Sequence, residues 1–176
     1  MLPDFLQTNR KENFISKRRR WLMNLYPMFF GTGGKIIFWS SDHQELHVIL
    51  KRNIWTYNLV GTIFGGSMFA AADPFYMVMF HCILGKEFVV WDKSASIRFR
   101  KPARKKMYLK FEITDTIITD VKEQVALKGS TELTLQLQWK DSDGIVYAEI
   151  ERLIYIADKK YYEQRKGETQ AVKLRS

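Results

Sequence analysis

Apolar and polar residues alternate along the second half of the chain with the period of two that is typical of half-buried antiparallel strands. In residues 94–100 the apolar positions are Ala95, Ile97 and Phe99, and residues 107–114 repeat the same pattern. We therefore predict a strand in each segment. Each strand should direct its apolar side chains toward a core and its polar side chains toward solvent.

Further strands are predicted on either side of these two. Residues 35–40 and 45–51 are short strand candidates that are joined by a polar turn. Residues 133–139 alternate again, and the sequence Asp-Ser-Asp-Gly at 141–144 is typical of a hairpin turn. The returning strand of that hairpin is predicted over 145–157.

The most apolar part of the chain is residues 59–84, in which Asp73 and His81 are the only acidic or basic side chains. The length would also permit a membrane span, but a carboxylate followed by proline at the midpoint is costly in lipid. The predicted strands also need a helix to cover them. We therefore predict a core helix over 67–84, kinked at the proline, and no transmembrane segment. A second, short helix over 120–129 is indicated by capping-box spacing at its start.

Both ends of the chain are basic. Residues 17–20 read Lys-Arg-Arg-Arg and precede an apolar run, which is the order found in signal peptides. Asn24 and Pro27 interrupt that run, and no small-residue cleavage site follows it. We therefore predict an N-terminal helical arm over 1–31. After the last strand the chain is polar and charged, which predicts a basic flexible tail over 158–176.

Together these elements predict an α+β domain over residues 32–157. A curved antiparallel sheet wrapped around a central helix satisfies the order of elements with short connections. The 176 residues are sufficient for one such domain with a sizeable core and the N-terminal helical arm. The single cysteine, Cys82, excludes an internal disulfide framework and is compatible with a reducing compartment, so we expect a cytoplasmic protein.

The net charge of +9 favours a negatively charged partner. Nucleic acid, an anionic membrane surface and a polyphosphate ligand such as coenzyme A are the candidates. The basic residues form three separate clusters at 17–20, 98–106 and 159–175, and no helix-turn-helix, zinc-finger or RNA-binding signature is visible. We therefore expect no nucleic-acid partner.

A motif occupies residues 58–73 and consists of an asparagine, a glycine pair, an aromatic residue and an alanine–aspartate pair. Its residues are Asn58, Gly65, Gly66, Phe69, Ala72 and Asp73. The spacing resembles that of the hotdog-fold thioesterases of the phenylacetyl-CoA type, and residues 97–103 are similar to that family's next strand. The inserted helix and the Asp-Ser-Asp-Gly turn look more like the branch of this superfamily that is described only as a domain of unknown function. Phe64 replaces the family's usual histidine, and Pro74 follows the aspartate directly.

The resemblance implies a hotdog fold and the hydrolysis of an acyl-CoA or acyl-carrier thioester. No metal is implied, and the coenzyme A of the substrate takes the place of a cofactor. In this reading Asp73 activates water or attacks the carbonyl, and the backbone amides of Gly65 and Gly66 form the oxyanion hole. Asn58 orients the water or holds its loop. We expect apolar surroundings for Asp73, which suit a general base.

The basic run after the motif is a candidate clamp for the phosphates of coenzyme A. Its proposed members are Arg98, Arg100, Lys101 and Arg104. Each assignment has a structural alternative. The basic residues also suit a solvated strand face, the glycine pair suits a tight turn, and Asp73 suits a cap for the helix that follows Pro74.

Two other functions remain open at this stage. Phe64 and Pro74 favour a non-catalytic module that binds an acyl group or acyl-CoA, and the basic tail is compatible with an interaction protein at membranes or nucleic acid. His43, Glu45 and His47 lie on one side of a predicted strand, but their spacing fits no zinc pattern, so we expect no metal. Since one curved sheet leaves its edges exposed, and hotdog relatives place their sites between subunits, we expect a homodimer or a tetramer of two dimers.

Overall fold

Six antiparallel strands form one sheet in the computed structural model, which describes residues 2–173, with side chains described up to residue 167. The strands are β1 (Gly34–Trp39), β2 (Glu45–Leu50), β3 (Phe88–Phe99), β4 (Met107–Glu112), β5 (Ser130–Lys140) and β6 (Val146–Asp158). Their order across the sheet is β1-β2-β4-β5-β6-β3, so that β1 and β3 are its two edges. The short strands, the meander and the hairpin that the sequence predicted are confirmed.

Two core helices pack on one face of the sheet, and four further helices surround them. The helices are α1 (Phe14–Leu25), α2 (Pro27–Phe30), α3 (Gly65–Ala70), α4 (Phe75–Leu84), α5 (Asp115–Lys128) and α6 (Lys159–Lys173), after a short 3-10 turn at Asp4–Leu6. The core lies between α3, α4 and the sheet, where Phe75 and Met79 are fully buried with Phe111 and Ile150. The indole nitrogen of Trp139 donates a hydrogen bond to a backbone carbonyl of α3. This is the α+β hotdog arrangement of a curved antiparallel sheet around a central helical segment.

The central segment is broken into two helices rather than kinked. The sequence predicted one helix over 67–84, but α3 ends at Ala70 and α4 begins at Phe75. Pro74 lacks an amide hydrogen and its ring clashes with the preceding turn, which explains the break. By length and composition Gly65–Leu84 could cross a membrane, but half of this window is buried inside the domain, as expected for core helices.

The inserted helix starts earlier than predicted. The sequence placed it at 120–129, whereas α5 begins at Asp115. The Thr114 side chain caps its first turn by accepting a hydrogen bond from the amide of Ile117. The end is as predicted, because Gly129 adopts the left-handed conformation that closes the helix.

Strand β3 buries less than its alternation predicted. Ala95 and Phe99 lie opposite buried residues of β6 and therefore face the helical side of the sheet, but both are exposed and Ile97 is only partly buried. The core helices cover the first half of the strand, where Phe88 and Val90 pack against the core. Because β3 is an edge strand, its second half has no such cover in the described chain.

The C-terminal segment is a helix where the sequence predicted a flexible tail from residue 158. The carboxylate of Asp158 accepts hydrogen bonds from the amides of Lys160 and Tyr161, which starts α6. Tyr162 packs edge-on against Trp91 and fixes the helix to β3. The last three residues of the predicted tail, 174–176, lie outside the described residues.

Candidate functional site

A cavity of about 450 Å³ lies between the loop that precedes α3 and the end of β3. It is lined by Asn58, Val60, Thr62, Ile63, Gly65, Met68, Phe99, Arg100, Lys101, Pro102 and Ala103. Four of the residues that the sequence singled out therefore come together here. They are Asn58, Gly65, Arg100 and Lys101.

The loop before α3 is held by the side chain of Asn58. Its Oδ1 atom accepts hydrogen bonds from the amides of Val60 and Thr62 at 3.0 and 3.1 Å, and its Nδ2 atom donates to the Thr62 hydroxyl at 3.0 Å. The amide of Ile63 donates to the carbonyl of Ala103 at 2.7 Å and joins the loop to the opposite wall of the cavity. Of the two roles considered for Asn58, these contacts support the one of holding the loop.

The glycine pair begins α3 and is packed beneath two aromatic rings. A methyl group added at Gly65 would lie 2.6 Å from the Phe99 ring, and one added at Gly66 would lie 2.3 Å from the Phe64 ring. A side chain at either position would therefore force the neighbouring phenylalanine ring to move. Within the described chain no side chain caps α3, so its first amides have no side-chain hydrogen-bond partner.

Asp73 lies in the turn between α3 and α4 and is not surrounded by apolar residues, contrary to the prediction. Its side chain is 61% exposed, and its Oδ1 atom accepts a hydrogen bond from Nη2 of Arg152 at 2.9 Å. The capping alternative is also wrong. Pro74 is the N-terminal cap of α4, and among the described residues no side chain caps that helix.

Arg152 is a buried charge in the middle of β6, where it lies opposite Leu135 and Ala95 and is 1% exposed. Its Nε and Nη2 atoms donate to the two carboxylate oxygens of Asp92 at 3.2 and 2.7 Å, and Nη2 also donates to Asp73. Burial lowers the pKa of Arg152, but Asp92 and Asp73 raise it, and the net effect is an increase. The guanidinium therefore stays charged, while its Nη1 atom has no hydrogen-bond partner among the described residues.

The cluster formed by Asp73, Arg152 and Asp92 contains two carboxylates and one guanidinium. Asp73 is its exposed member, so a solvent-facing carboxylate is held in place by a buried donor. Arg152 and Asp92 were not among the residues predicted from the sequence, although a signal was present. Arg152 lies between Ile150 and Ile154 in the alternation of β6, at a position that faces the core.

Of the predicted phosphate clamp, only Arg100 and Lys101 line the cavity, and the guanidinium of Arg100 is paired with the carboxylate that lies beside Arg98. Arg98 lies among polar residues of β5 and β6 that include Glu149 and does not line the cavity. Arg100 lines the cavity and forms an ion pair with Glu149, with a shortest distance of 2.6 Å. Lys101 also lines the cavity, and Arg104 is exposed beyond it. The clamp of four residues is thus reduced to Arg100 and Lys101.

The two histidines and the glutamate near β2 are engaged with other side chains. His47 contacts Glu45 at 2.7 Å within the buried part of the strand, and His43 contacts Arg19 at 2.7 Å. Among the described residues, no three histidine, cysteine, aspartate or glutamate side chains come close enough together to hold a metal ion.

The fold and the placement of the motif define a hotdog-fold protein. Solved structures with the same fold include a protein of unknown function from Pseudomonas aeruginosa that is described as a probable thioesterase. It is 19% identical, with a TM-score of 0.71 over 81% of this chain and 95% of that chain. A thioesterase from Haemophilus influenzae is also similar, with 11% identity and a TM-score of 0.60 over 86% of this chain and 96% of that chain. Mouse thioesterase superfamily member 2 is similar too, with 13% identity and a TM-score of 0.59 over 82% of this chain and 98% of that chain.

The model of the family described as a domain of unknown function, DUF4442, matches residues 17–156, and the chain belongs to this family. No curated protein matches the sequence. The resemblance to hotdog thioesterases that the motif suggested is confirmed at the level of family and fold. At the identities of the solved structures, the likeness establishes the fold and carries no further chemistry.

Proposed function

We propose that this protein hydrolyses the thioester of an acyl-CoA or acyl-carrier substrate, with Asp73 as general base or nucleophile. The observation that carries the proposal is the exposed carboxylate of Asp73, fixed by the buried Arg152 at the motif position. A carboxylate that is both accessible and held in one orientation is what proton transfer from water requires. Solved structures with this fold include a thioesterase and a probable thioesterase, and the proposal extends that activity to this chain.

The cavity supplies a place for the substrate in this proposal. The amides of Gly65 and Gly66 would stabilise the negative charge that develops on the thioester oxygen. Arg100 and Lys101 at the cavity wall would contact the phosphates of coenzyme A. Asn58 would contribute by keeping the loop, and with it the cavity, in shape.

In this proposal a second copy of the chain would complete the site. Asp73 is not among the residues that line the cavity, and the second half of β3 is an exposed sheet edge with an exposed Phe99. We propose a homodimer in which two β3 edges meet about a two-fold axis, so that the cavity of one chain faces Asp73 of the other. Light scattering at micromolar concentration should give the mass of a dimer or of two dimers, and a monomer would contradict the proposal.

Hydrolysis of a panel of acyl-CoA thioesters of different chain length tests the function directly. We expect Asp73→Asn to lower turnover by about 10² to 10⁴, because asparagine can neither take up a proton nor act as a carboxylate nucleophile. The melting temperature and the affinity for a non-hydrolysable acyl-CoA analogue should change little. Asp120→Asn, which removes an exposed carboxylate from α5, is the matched control and should hydrolyse at the wild-type rate.

The second candidate is a module that binds acyl-CoA without hydrolysing it. It is favoured by Phe64, which replaces the histidine of the motif and lies against Gly66, and by the Phe99 ring, which packs on Gly65. A wild-type protein that binds the analogue but hydrolyses no member of the panel would support this candidate over the enzyme.

A further inference from the structure

The N-terminal helix α1 packs on the domain mostly through its polar side, with Met23 as an apolar residue of α1 that packs against the core. Asn24 bonds to the backbone of β1 twice, accepting from the amide of Ile36 at 2.8 Å and donating to its carbonyl at 3.0 Å. Ser16 is buried in a capping box with Asn13, and Arg19 contacts Cys82. A surface helix normally buries its apolar side, so α1 is inverted with respect to that rule.

The apolar side of α1 consequently faces solvent and continues into neighbouring segments. We call it the N-terminal apolar face and define it by Phe14, Trp21, Leu25, Met28, Phe30 and Trp55, all of which are exposed. Trp21 is 62% exposed and Trp55, which follows β2, is 86% exposed. Four of the six members line one cavity of about 800 Å³, so the helix and the distant loop form a continuous surface. Large exposed apolar surfaces mark interaction sites.

The charged residues around this face are mostly basic, and the carboxylate of Glu12 beside them is paired with Arg20. The sequence of α1 contains four basic residues and no acidic one, and Lys17 and Arg18 are exposed on it. Arg20, Lys35 and Lys51 line the cavity, and among the described residues that line it none is acidic. An occupant of this surface should therefore be apolar and carry negative charge.

We propose that the N-terminal apolar face docks the protein onto an anionic lipid bilayer. Tryptophan and tyrosine favour the headgroup level of a membrane, and apolar side chains on a rigid surface helix can enter the acyl boundary beneath it. Lysine and arginine beside them are attracted to anionic headgroups. The combination of exposed tryptophans, exposed cations and a described cavity lining without carboxylates fits this partner. The proposal does not depend on the hydrolysis of thioesters.

Sedimentation of the full chain with vesicles tests the proposal. We expect binding to vesicles of phosphatidylcholine and phosphatidylserine, weaker binding as salt is raised, and little binding to phosphatidylcholine alone. The emission of Trp21 and Trp55 should shift to the blue on binding. The variant Lys17→Ala/Arg18→Ala should lose affinity by roughly 30-fold at low salt, since each surface charge contributes about fivefold. Trp21→Ala/Trp55→Ala should weaken sedimentation with the anionic vesicles, because it removes the two most amphipathic anchors of the face.

Matched controls come from α5, outside this face. Lys122→Ala/Lys128→Ala removes two exposed charges, and Leu127→Ala removes an exposed apolar side chain, and neither should weaken binding. Circular dichroism should show that all variants fold, because the substituted side chains are exposed. Equal binding to both vesicle types, or full binding by the tryptophan variant, would overturn the proposal. The proposal would also be overturned if the protein did not bind vesicles but self-associated, and Trp21→Ala/Trp55→Ala abolished that self-association. Binding of monomeric dodecyl phosphate without binding of vesicles would overturn it as well.

Discussion

We expect the two carboxylates that hold Arg152 to differ in what they do when each is replaced by its amide. Asp92→Asn should destabilise the fold more than Asp73→Asn, whereas Asp73→Asn should be the change that removes hydrolysis. The reasoning starts from burial and from the number of hydrogen bonds. Asp92 is 21% exposed and accepts two hydrogen bonds from the guanidinium, and Asp73 is 61% exposed and accepts one.

The magnitudes follow from these contacts. A hydrogen bond to a charged group contributes about 1.5–3 kcal/mol where it is shielded from water. Loss of the Asp92 charge leaves the buried guanidinium with one exposed partner, and we expect a loss of about 2–3 kcal/mol in the free energy of unfolding. The ion pair between Arg152 and Asp73 is screened by solvent, so Asp73→Asn should lower the free energy of unfolding by about 1 kcal/mol or less.

Urea unfolding measures both changes, with an unchanged m-value as the sign that the transition remains two-state. The variant Arg152→Met/Asp92→Asn is the critical control. It removes the buried charge together with its partner, and should therefore be more stable than Asp92→Asn alone. If Asp92→Asn unfolds at the wild-type urea concentration, or if adding Arg152→Met makes it less stable, the dependence of the buried guanidinium on Asp92 is refuted.

Two further predictions concern the cavity wall and a buried histidine. Arg100→Ala/Lys101→Ala should raise the KM for acyl-CoA and weaken its salt dependence with little change in kcat. Arg98→Ala, which removes a charge that does not line the cavity, should leave KM unchanged, and an equal rise in KM would contradict the assignment of the clamp to Arg100 and Lys101. Burial lowers the pKa of His47 from its ordinary value of 6.5 in spite of the contact with Glu45, so below about pH 6.5 the unfolded chain binds more protons than the folded one. The unfolding free energy should therefore fall as the pH falls through this range, and His47→Gln should flatten that profile; an unchanged slope would show that His47 does not contribute.

The strands and the core segment could be predicted because local patterns determine them. The alternation in β4, β5 and β6 and the turn at 141–144 are short-range signals, and the structure has them where they were predicted. The predicted start of α5 was wrong because two residues could cap the helix. The prediction used Asp120, whereas in the structure Thr114 caps the helix earlier in the chain. The exposure of Phe99 could not be predicted either. Alternation identifies the face of a strand, but the position of β3 at the edge of the sheet depends on how all six strands pair.

The candidate site shows the same division between local and distant information. The spacing of the motif located Asp73, but its partner lies 79 residues away on another element. Asp92 reaches the same guanidinium from β3, where the register shifts between Asp92 and Ser94. No local sequence pattern predicts that these three side chains come into contact. What the sequence did contain was an arginine at an inward position of β6, and a buried charge at such a position requires a carboxylate partner from elsewhere.

The structure changes the interpretation of Pro74, the proline that follows Asp73. At the level of sequence, Pro74 counted against catalysis, because it disrupts the helix that carries the aspartate in the family motif. In the structure the disruption ends α3 at Ala70, so Asp73 lies in a turn instead of inside a continuous helix. From that turn its carboxylate reaches Arg152 on the sheet and remains exposed to solvent. The break at Pro74 and the buried charge on β6 are therefore two parts of one arrangement, since the first releases the carboxylate from the helix and the second fixes its position.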